Sequence, residues 1–346
     1  MNIMIRATNW VGDAIMALPA LHAVRTRFSD ARVSVVARPY VADLYREQGI
    51  CDELICYDTK DSHKGVRGRE ALAAELRSKN FDAALLLQNA FDAAWLAWRA
   101  GIPKRIGYAR DGRSLLLTQA VAVPKPGESP PHEKFYYLEL LKRAAWIDRY
   151  EDEQHITLRV TDSSKHRAMQ KLVEAGLRAN AMRIAVGAGA SYGSAKCWPP
   201  DRFAQALNGS VSEFDADIIL FGTSQELPVS AAIAQNLRRP PVDLTGKTSM
   251  AELPSLLSQC HLFLGNDSGA MHVAAAVGLP VVAVFGPTDP LGTAPVTPRM
   301  SIVQQKSYCS PCFLRRCPTD HRCMTSVTPA MVEVALRKHA STIPAV

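Results

Sequence analysis

The chain has 346 residues, 47% of them hydrophobic and 21% charged, with a formal net charge of +7. This is an ordinary globular composition, long enough for two cores, and it excludes a disordered or fibrous chain. The basic excess favours anionic partners, but no charged tail or aromatic–basic repeat marks a nucleic-acid binder, so no nucleic acid is expected.

Strand and helix signals alternate from the start. A strand at 2–7 leads to a helix at 14–28, 32–37 to 41–48, 53–57 to 69–79, 82–87 to 93–100, and 105–108 to 134–146. A helix at 162–176 opens a second series. It continues with strand 183–187 and helix 201–207, strand 217–221 and helix 225–236, and strand 242–244 and helix 250–258. Strand 261–264, a helix after Ser268, strand 281–285 and a last helix at 329–339 complete it. This order predicts an α/β protein of two Rossmann-like, doubly wound domains whose strand ends face a central cleft. The expected domains are 1–158 and 159–327, with 328–346 a helix and tail packing back towards the first domain. Residues 1–21 lack the layout of a secretion signal. The longest apolar run, 270–285, contains His272 and is broken at Gly278 and Pro280, so it is not expected to span a bilayer. A cytoplasmic protein, touching a membrane only at its surface, is the expectation.

The most informative stretch is Gly265-Asn266-Asp267-Ser268-Gly269, where an apolar strand turns into a helix rich in small residues. A helix N-terminus leaves amides unpaired and carries partial positive charge, which suits a phosphate. The alternative is that Ser268 or Asp267 merely caps the helix. Two further turns repeat the theme. Gly187-Ala188-Gly189-Ala190 is followed by Lys196, a point charge for a diphosphate. Phe221-Gly222 is followed by Glu226, a carboxylate able to accept from two ribose hydroxyls or simply to favour a helix start. The first strand ends without G-x-G-x-x-G, which argues against a dinucleotide enzyme. It offers Asp13 instead, either a general base or a carboxylate on a helix dipole. Basic groups crowd at Lys60, Lys64, Arg67 and Arg69 and at Lys104, Arg105, Arg110 and Arg113. Cys309, Cys312, Cys317 and Cys323, with His321 among them, form a candidate structural zinc loop.

Asn9-Trp10-Val11-Gly12-Asp13, Lys196-Cys197-Trp198-Pro199 and Gly265-Asn266-Asp267-Ser268-Gly269 with His272 together resemble the lipopolysaccharide heptosyltransferases, glycosyltransferase family 9. Arg105-Ile106-Gly107-Tyr108 and the Cys309-Ser310-Pro311-Cys312 loop are similar to the heptosyltransferase II branch. The resemblance runs from Met1 to about Leu336. It implies a GT-B fold and inverting transfer of L-glycero-D-manno-heptose from ADP-heptose to a heptosyl-Kdo-lipid A core, at the cytoplasmic face of the inner membrane. By that resemblance Asp13 is the base and Lys196 assists departure of the diphosphate. The donor is held by Ala190, Ser191, Lys196, Glu226, Thr248, Asp267, Ser268, Gly269 and His272, and no cofactor is required for catalysis. Lys60, Lys64, Arg67, Arg110 and Arg113 are the candidate acceptor contacts. A relative adding the first or third heptose or another core sugar, and a non-catalytic nucleotide-sugar-binding protein, are the alternatives.

Overall fold

The computed structural model describes residues 1–343, and the chain divides into two compact units, Met1–Asp152 and Glu153–Val346. The boundary precedes the expected 158/159. Buried Ile156 and Leu158 donate their amides to the carbonyls of Val296 and Ala276, which ties this segment to the second unit.

The first unit holds strands β1 (Asn2–Arg6), β2 (Arg32–Ala37), β3 (Glu53–Cys56), β4 (Ala83–Leu86), β5 (Lys104–Tyr108) and β6 (Gln119–Val121). All are parallel, in the order β3-β2-β1-β4-β5-β6. Met4, Val36, Ala84 and Leu86 pack on helices Gly65–Ser78 and Phe91–Arg99 through Leu72, Leu76, Ala94 and Ala97. The expected helix 14–28 is two helices, Val11–Met16 and Leu18–Arg27. Pro19, lacking an N–H, sits in the first turn of the second, where its missing donor costs nothing. Helix Glu133–Arg143 packs against both.

The second unit repeats the plan with β7 (Arg183–Gly187), β8 (Asp217–Phe221), β9 (Val242–Asp243), β10 (Leu262–Asn266), β11 (Val281–Phe285) and β12 (Met300–Gln304). These too are parallel, ordered β12-β11-β10-β7-β8-β9. β6 and β12 lie at sheet edges and are half exposed, so neither carries the apolar run that announces a buried strand. In each sheet the winding reverses beside the first strand of the unit, between β1 and β4 and between β7 and β10. Ligands of open α/β sheets bind outside the carboxyl ends at such points.

The last helix, Pro329–Ala340, packs on helix Pro200–Glu213 and on β10, β11 and β12. It joins the second unit's core, where Val332, Ala335 and Leu336 pack with Phe203 and Leu207 over that sheet. Leu336 is fully buried, so Leu336→Ala is expected to destabilise the second unit by about 2–5 kcal/mol. Denaturant unfolding, followed by probes in each unit, checks this.

Candidate active site

The carboxyl ends of β7 and β10 are built around close backbone approach. Gly187 and Gly265 are register partners. A Cβ on Gly265 would meet the Gly187 carbonyl oxygen at 2.7 Å, and one on Gly187 would meet the Phe263 ring at 2.8 Å. Beyond them the Asn266 side chain stitches the two strand ends. It donates to the Ala188 carbonyl at 2.5 Å and accepts from the Trp198 amide at 3.0 Å. The next residue, Asp267, accepts from Lys196 Nζ at 2.5 Å and from Thr288 Oγ1 at 2.6 Å. Both members of this ion pair are largely buried.

Ser268 then occupies the N-cap of helix Gly269–Ala276, but no side chain caps that helix. The Asp267 carboxylate is engaged elsewhere, and Ser268 Oγ is buried without a hydrogen-bond partner. The simple capping alternative is therefore not realised. A hydroxyl and the first-turn amides are left at a positive helix end, next to a desolvated ammonium, an arrangement that receives a diphosphate. His272 is buried on the same helix.

Glu226 stands at the end of β8. Its Oε2 accepts from the Thr223 amide at 2.6 Å and from Thr223 Oγ1 at 3.1 Å, closing a capping box. Its other oxygen lies where a Cβ on Gly189 would fall, 1.4 Å away, so a side chain there would push the carboxylate out of this position. Ala190 accepts from the Gly193 amide at 3.1 Å to turn this loop, and Ser191 is exposed upon it. Thr248 is half-buried, and its hydroxyl donates to the Leu244 carbonyl at 3.3 Å.

The four-cysteine loop is a correction. All four thiols are free, and among the described residues no group of three or more His, Cys, Asp or Glu side chains is arranged to hold a metal. Cys323 is buried while Cys309 is exposed, and His321 Nε2 lies 2.7 Å from the Ala195 carbonyl. The loop instead buttresses Lys196. Tyr192 Oη donates to the Phe313 carbonyl at 2.6 Å, and the Ala195 amide donates to the Arg315 carbonyl at 3.1 Å. Lys196 and Arg315 both lie over the Tyr192 ring, at 4.8 and 5.2 Å.

In the first unit Asp13 sits in the first turn of helix Val11–Met16, just past β1. Its surroundings hold a group that sequence reasoning missed. Glu133, in the first turn of the packed helix Glu133–Arg143, has its carboxyl pushed up to about 7, by burial first and by the Asp13 charge second, with Arg110 opposing. Tyr137, one turn on, is pushed well above the phenol range by burial and the same two carboxylates. The available signal was an acidic residue opening helix 134–146.

Lys60, Lys64 and Arg67 are exposed around the start of helix Gly65–Ser78 and form no ion pair among the described residues. Arg110 reaches Tyr136 Oη at 3.3 Å. Arg113 is fully buried and donates to the carbonyls of Tyr108 and Gln88 and to Asn89 Oδ1. It is a strut of the loop after β5.

Two parallel six-stranded sheets with flanking helices match the GT-B fold of heptosyltransferase structures, which makes the chain a glycosyltransferase of the GT-B class. The chain belongs to glycosyltransferase family 9 (heptosyltransferase), which matches residues 69–322. It is 28% identical to lipooligosaccharide heptosyltransferase 2 of Haemophilus influenzae, over 88% of each chain. It is 25% identical to the structure of Escherichia coli ADP-heptose lps heptosyltransferase II, with a TM-score of 0.83 over 99% of both chains. The glycosyl transferase family 9 structure from Veillonella parvula shares the fold at 21% identity. Its TM-score is 0.88, over 99% of this chain and 98% of that one.

Lys196→Ala strands the buried Asp267 charge, an expected cost of about 3–5 kcal/mol, whereas Lys196→Met with Asp267→Asn removes both charges at little cost. Both variants are expected to lose at least tenfold in ADP affinity. Thermal unfolding and calorimetric titration with ADP separate the two effects. A second expectation concerns pH. Above about 7 Glu133 is ionised, and a negative charge beside Asp13 favours proton uptake there. Turnover is expected to rise through that range, and Glu133→Gln to abolish the rise. An unchanged kcat–pH profile in that variant would count against the coupling.

Proposed function

We propose that this enzyme transfers L-glycero-D-manno-heptose from ADP-heptose to the heptosyl-Kdo-lipid A inner core, with inversion at the anomeric carbon. The observation that carries this reading is the uncapped start of helix Gly269–Ala276, where the unpartnered Ser268 hydroxyl stands beside the Lys196–Asp267 pair. Such a site accepts the diphosphate of a sugar nucleotide, and the family supplies heptosyl transfer. The similarity to heptosyltransferase 2 enzymes and to ADP-heptose lps heptosyltransferase II supports this donor and acceptor class.

In this reading an acceptor hydroxyl, bound by the first unit, loses its proton to the Asp13 carboxylate as its oxygen attacks the anomeric carbon. The new C–O bond forms opposite the bond to the diphosphate, which breaks with its electron pair going to ADP. Lys196 and the helix N-terminus stabilise the charge that develops on the leaving diphosphate. Glu226, Thr248, Ala190 and Ser191 hold the nucleoside, Gly269 brings backbone close to the phosphates, and His272 supports the turn. Lys60, Lys64, Arg67 and Arg110 draw the anionic glycolipid to the first unit, which makes membrane contact peripheral and places it on the cytoplasmic face. No helix among the described residues is long and apolar enough to cross a membrane.

The test is a product assay with ADP-heptose and acceptors carrying no, one or two heptoses. ADP release and a diheptosyl product from the monoheptosyl acceptor are expected. Turnover only on another acceptor reassigns the position added, and ADP binding without turnover on any leaves a binding protein. Asp13→Ala is expected to lower kcat by roughly 10²–10⁴-fold with ADP affinity unchanged. Near-normal turnover in that variant removes Asp13 from the chemistry.

A further inference from the structure

The carboxyl ends of β1, β2 and β3 hold a cluster that the proposed chemistry does not use. Arg6, the last residue of β1, is 2% exposed. It donates from Nη1 to the Ala7 carbonyl at 2.5 Å and from Nη2 to Asn9 Oδ1 at 2.8 Å, while its Nε has no partner. Thr8, also 2% exposed, buries a hydroxyl without a hydrogen bond. Arg38, just past β2, donates to the Tyr57 carbonyl at 3.3 Å and to Thr59 Oγ1. The guanidinium carbons of Arg6 and Arg38 lie 5.3 and 4.7 Å from the centroid of the same Tyr57 ring. Tyr57 Oη donates to Asp92 Oδ2 at 2.8 Å, leaving Oδ1 without a hydrogen bond and 3.5 Å from Arg69 Nε.

Two guanidiniums thus share the Tyr57 ring, whose hydroxyl is tied to a carboxylate that a third arginine approaches, and this cluster buries two donors, Arg6 Nε and Thr8 Oγ1, and one acceptor, Asp92 Oδ1, without hydrogen bonds. Burial and the Arg38 charge hold the Arg6 guanidinium down to about 10, with Asp92 opposing. A buried cation beside another cation is stabilised by an anion that neutralises both. Unsatisfied donors and an unsatisfied acceptor in one cluster fit a group that carries an oxyanion and hydroxyls together. The place matters as well. Asn9, held by Arg6, accepts on its carbonyl from Tyr40 Oη at 2.6 Å and opens the turn that leads to Asp13. Thr59, held by Arg38, directly precedes exposed Lys60.

We propose that Arg6, Thr8 and Arg38, around Tyr57, form an oxyanion subsite. It binds a carboxylate or phosphate group of a hydroxyl-rich acceptor and registers that acceptor against the Asp13 turn. This rests on the acceptor side of the function proposed above. None of these three residues stands out in the sequence, since Arg6 and Arg38 lie outside the basic clusters and Thr8 is one small hydroxyl in a turn.

The test measures binding of the monoheptosyl acceptor to the full-length protein without donor, beside steady-state turnover. Arg38→Gln is expected to weaken acceptor binding at least tenfold with ADP affinity unchanged. The loss should vanish on an acceptor whose carboxyl groups are reduced to alcohols, or on a dephosphorylated one, and which of the two removes it identifies the oxyanion. Thr8→Val keeps the shape and removes the orphan hydroxyl, so it is expected to fold at least as stably as the parent while weakening acceptor binding. A purely structural cluster predicts unchanged acceptor affinity in both variants, or an equal loss on every acceptor, and either result overturns the subsite. Heptose transfer by the parent with unaltered affinity in the variants removes the subsite and leaves the function standing. Lost acceptor binding in the variants of a parent that makes no product does the reverse.

Discussion

The second unit is organised by two consecutive polar side chains at the end of β10. Asn266 and Asp267 are buried where the winding of the sheet reverses, and each reaches across to the loop that follows β7. A buried carboxamide or carboxylate costs several kcal/mol without partners, so the β7 loop folds in the one way that supplies them, with the Ala188 carbonyl, the Trp198 amide and the Lys196 ammonium in place. The following helix stays uncapped, with Asp267 committed to lysine and the Ser268 hydroxyl at the N-cap unpartnered. Loop structure and anion site are one solution to one constraint. Occupying the site then adds a second negative partner to an ammonium that is already desolvated and positioned, so little ordering remains to be done on binding.

The loop from Cys309 to Cys323 extends this constraint outward. Its carbonyls at Phe313 and Arg315 accept from Tyr192 and Ala195 on either side of the lysine turn. The approach is tight enough that a Cβ on Gly193 would lie 2.2 Å from the Arg315 carbonyl oxygen. The cysteines read as a metal set in sequence because spacing alone records neither depth nor direction. In the folded chain their loop is held by main-chain hydrogen bonds and by two cations sharing the Tyr192 ring. A change in this loop therefore acts on the Lys196 turn through these contacts.

What was legible in sequence follows from how each feature is encoded. The buried strands of a parallel sheet are continuous apolar runs, and the turns after β7, β8 and β10 announce themselves through glycine beside a charged or hydroxyl residue. Lys196, Glu226 and Asp267-Ser268-Gly269 could be singled out for that reason. Glu133 was not, because its environment comes from a helix packed against one distant in sequence, and neither helix hints at the partner. Arg6 was hidden more deeply, inside a strand read as apolar. Arg113 misled in the opposite sense, since an arginine in a basic cluster looks solvated until the fold buries it against carbonyls. The final helix could be located from its pattern, but an apolar stripe on a helix does not say which sheet it covers.

The two units set opposite charge at equivalent places in one topology. Each has a helix starting just beyond a strand beside the reversal point, the place where α/β sheets present ligands. In the second unit that strand is β10. Its turn is made of a committed aspartate, an unpartnered serine and a glycine, so the positive helix end is available to an outside anion. In the first unit the strand is β1. Asp13 fills the first turn with the chain's own negative charge, Glu133 adds a second carboxyl that titrates near neutrality, and Arg6 holds the Asn9 side chain at the start of that turn. A shared fold thus supplies two polar strand ends, and a handful of side chains decide the charge that each one presents.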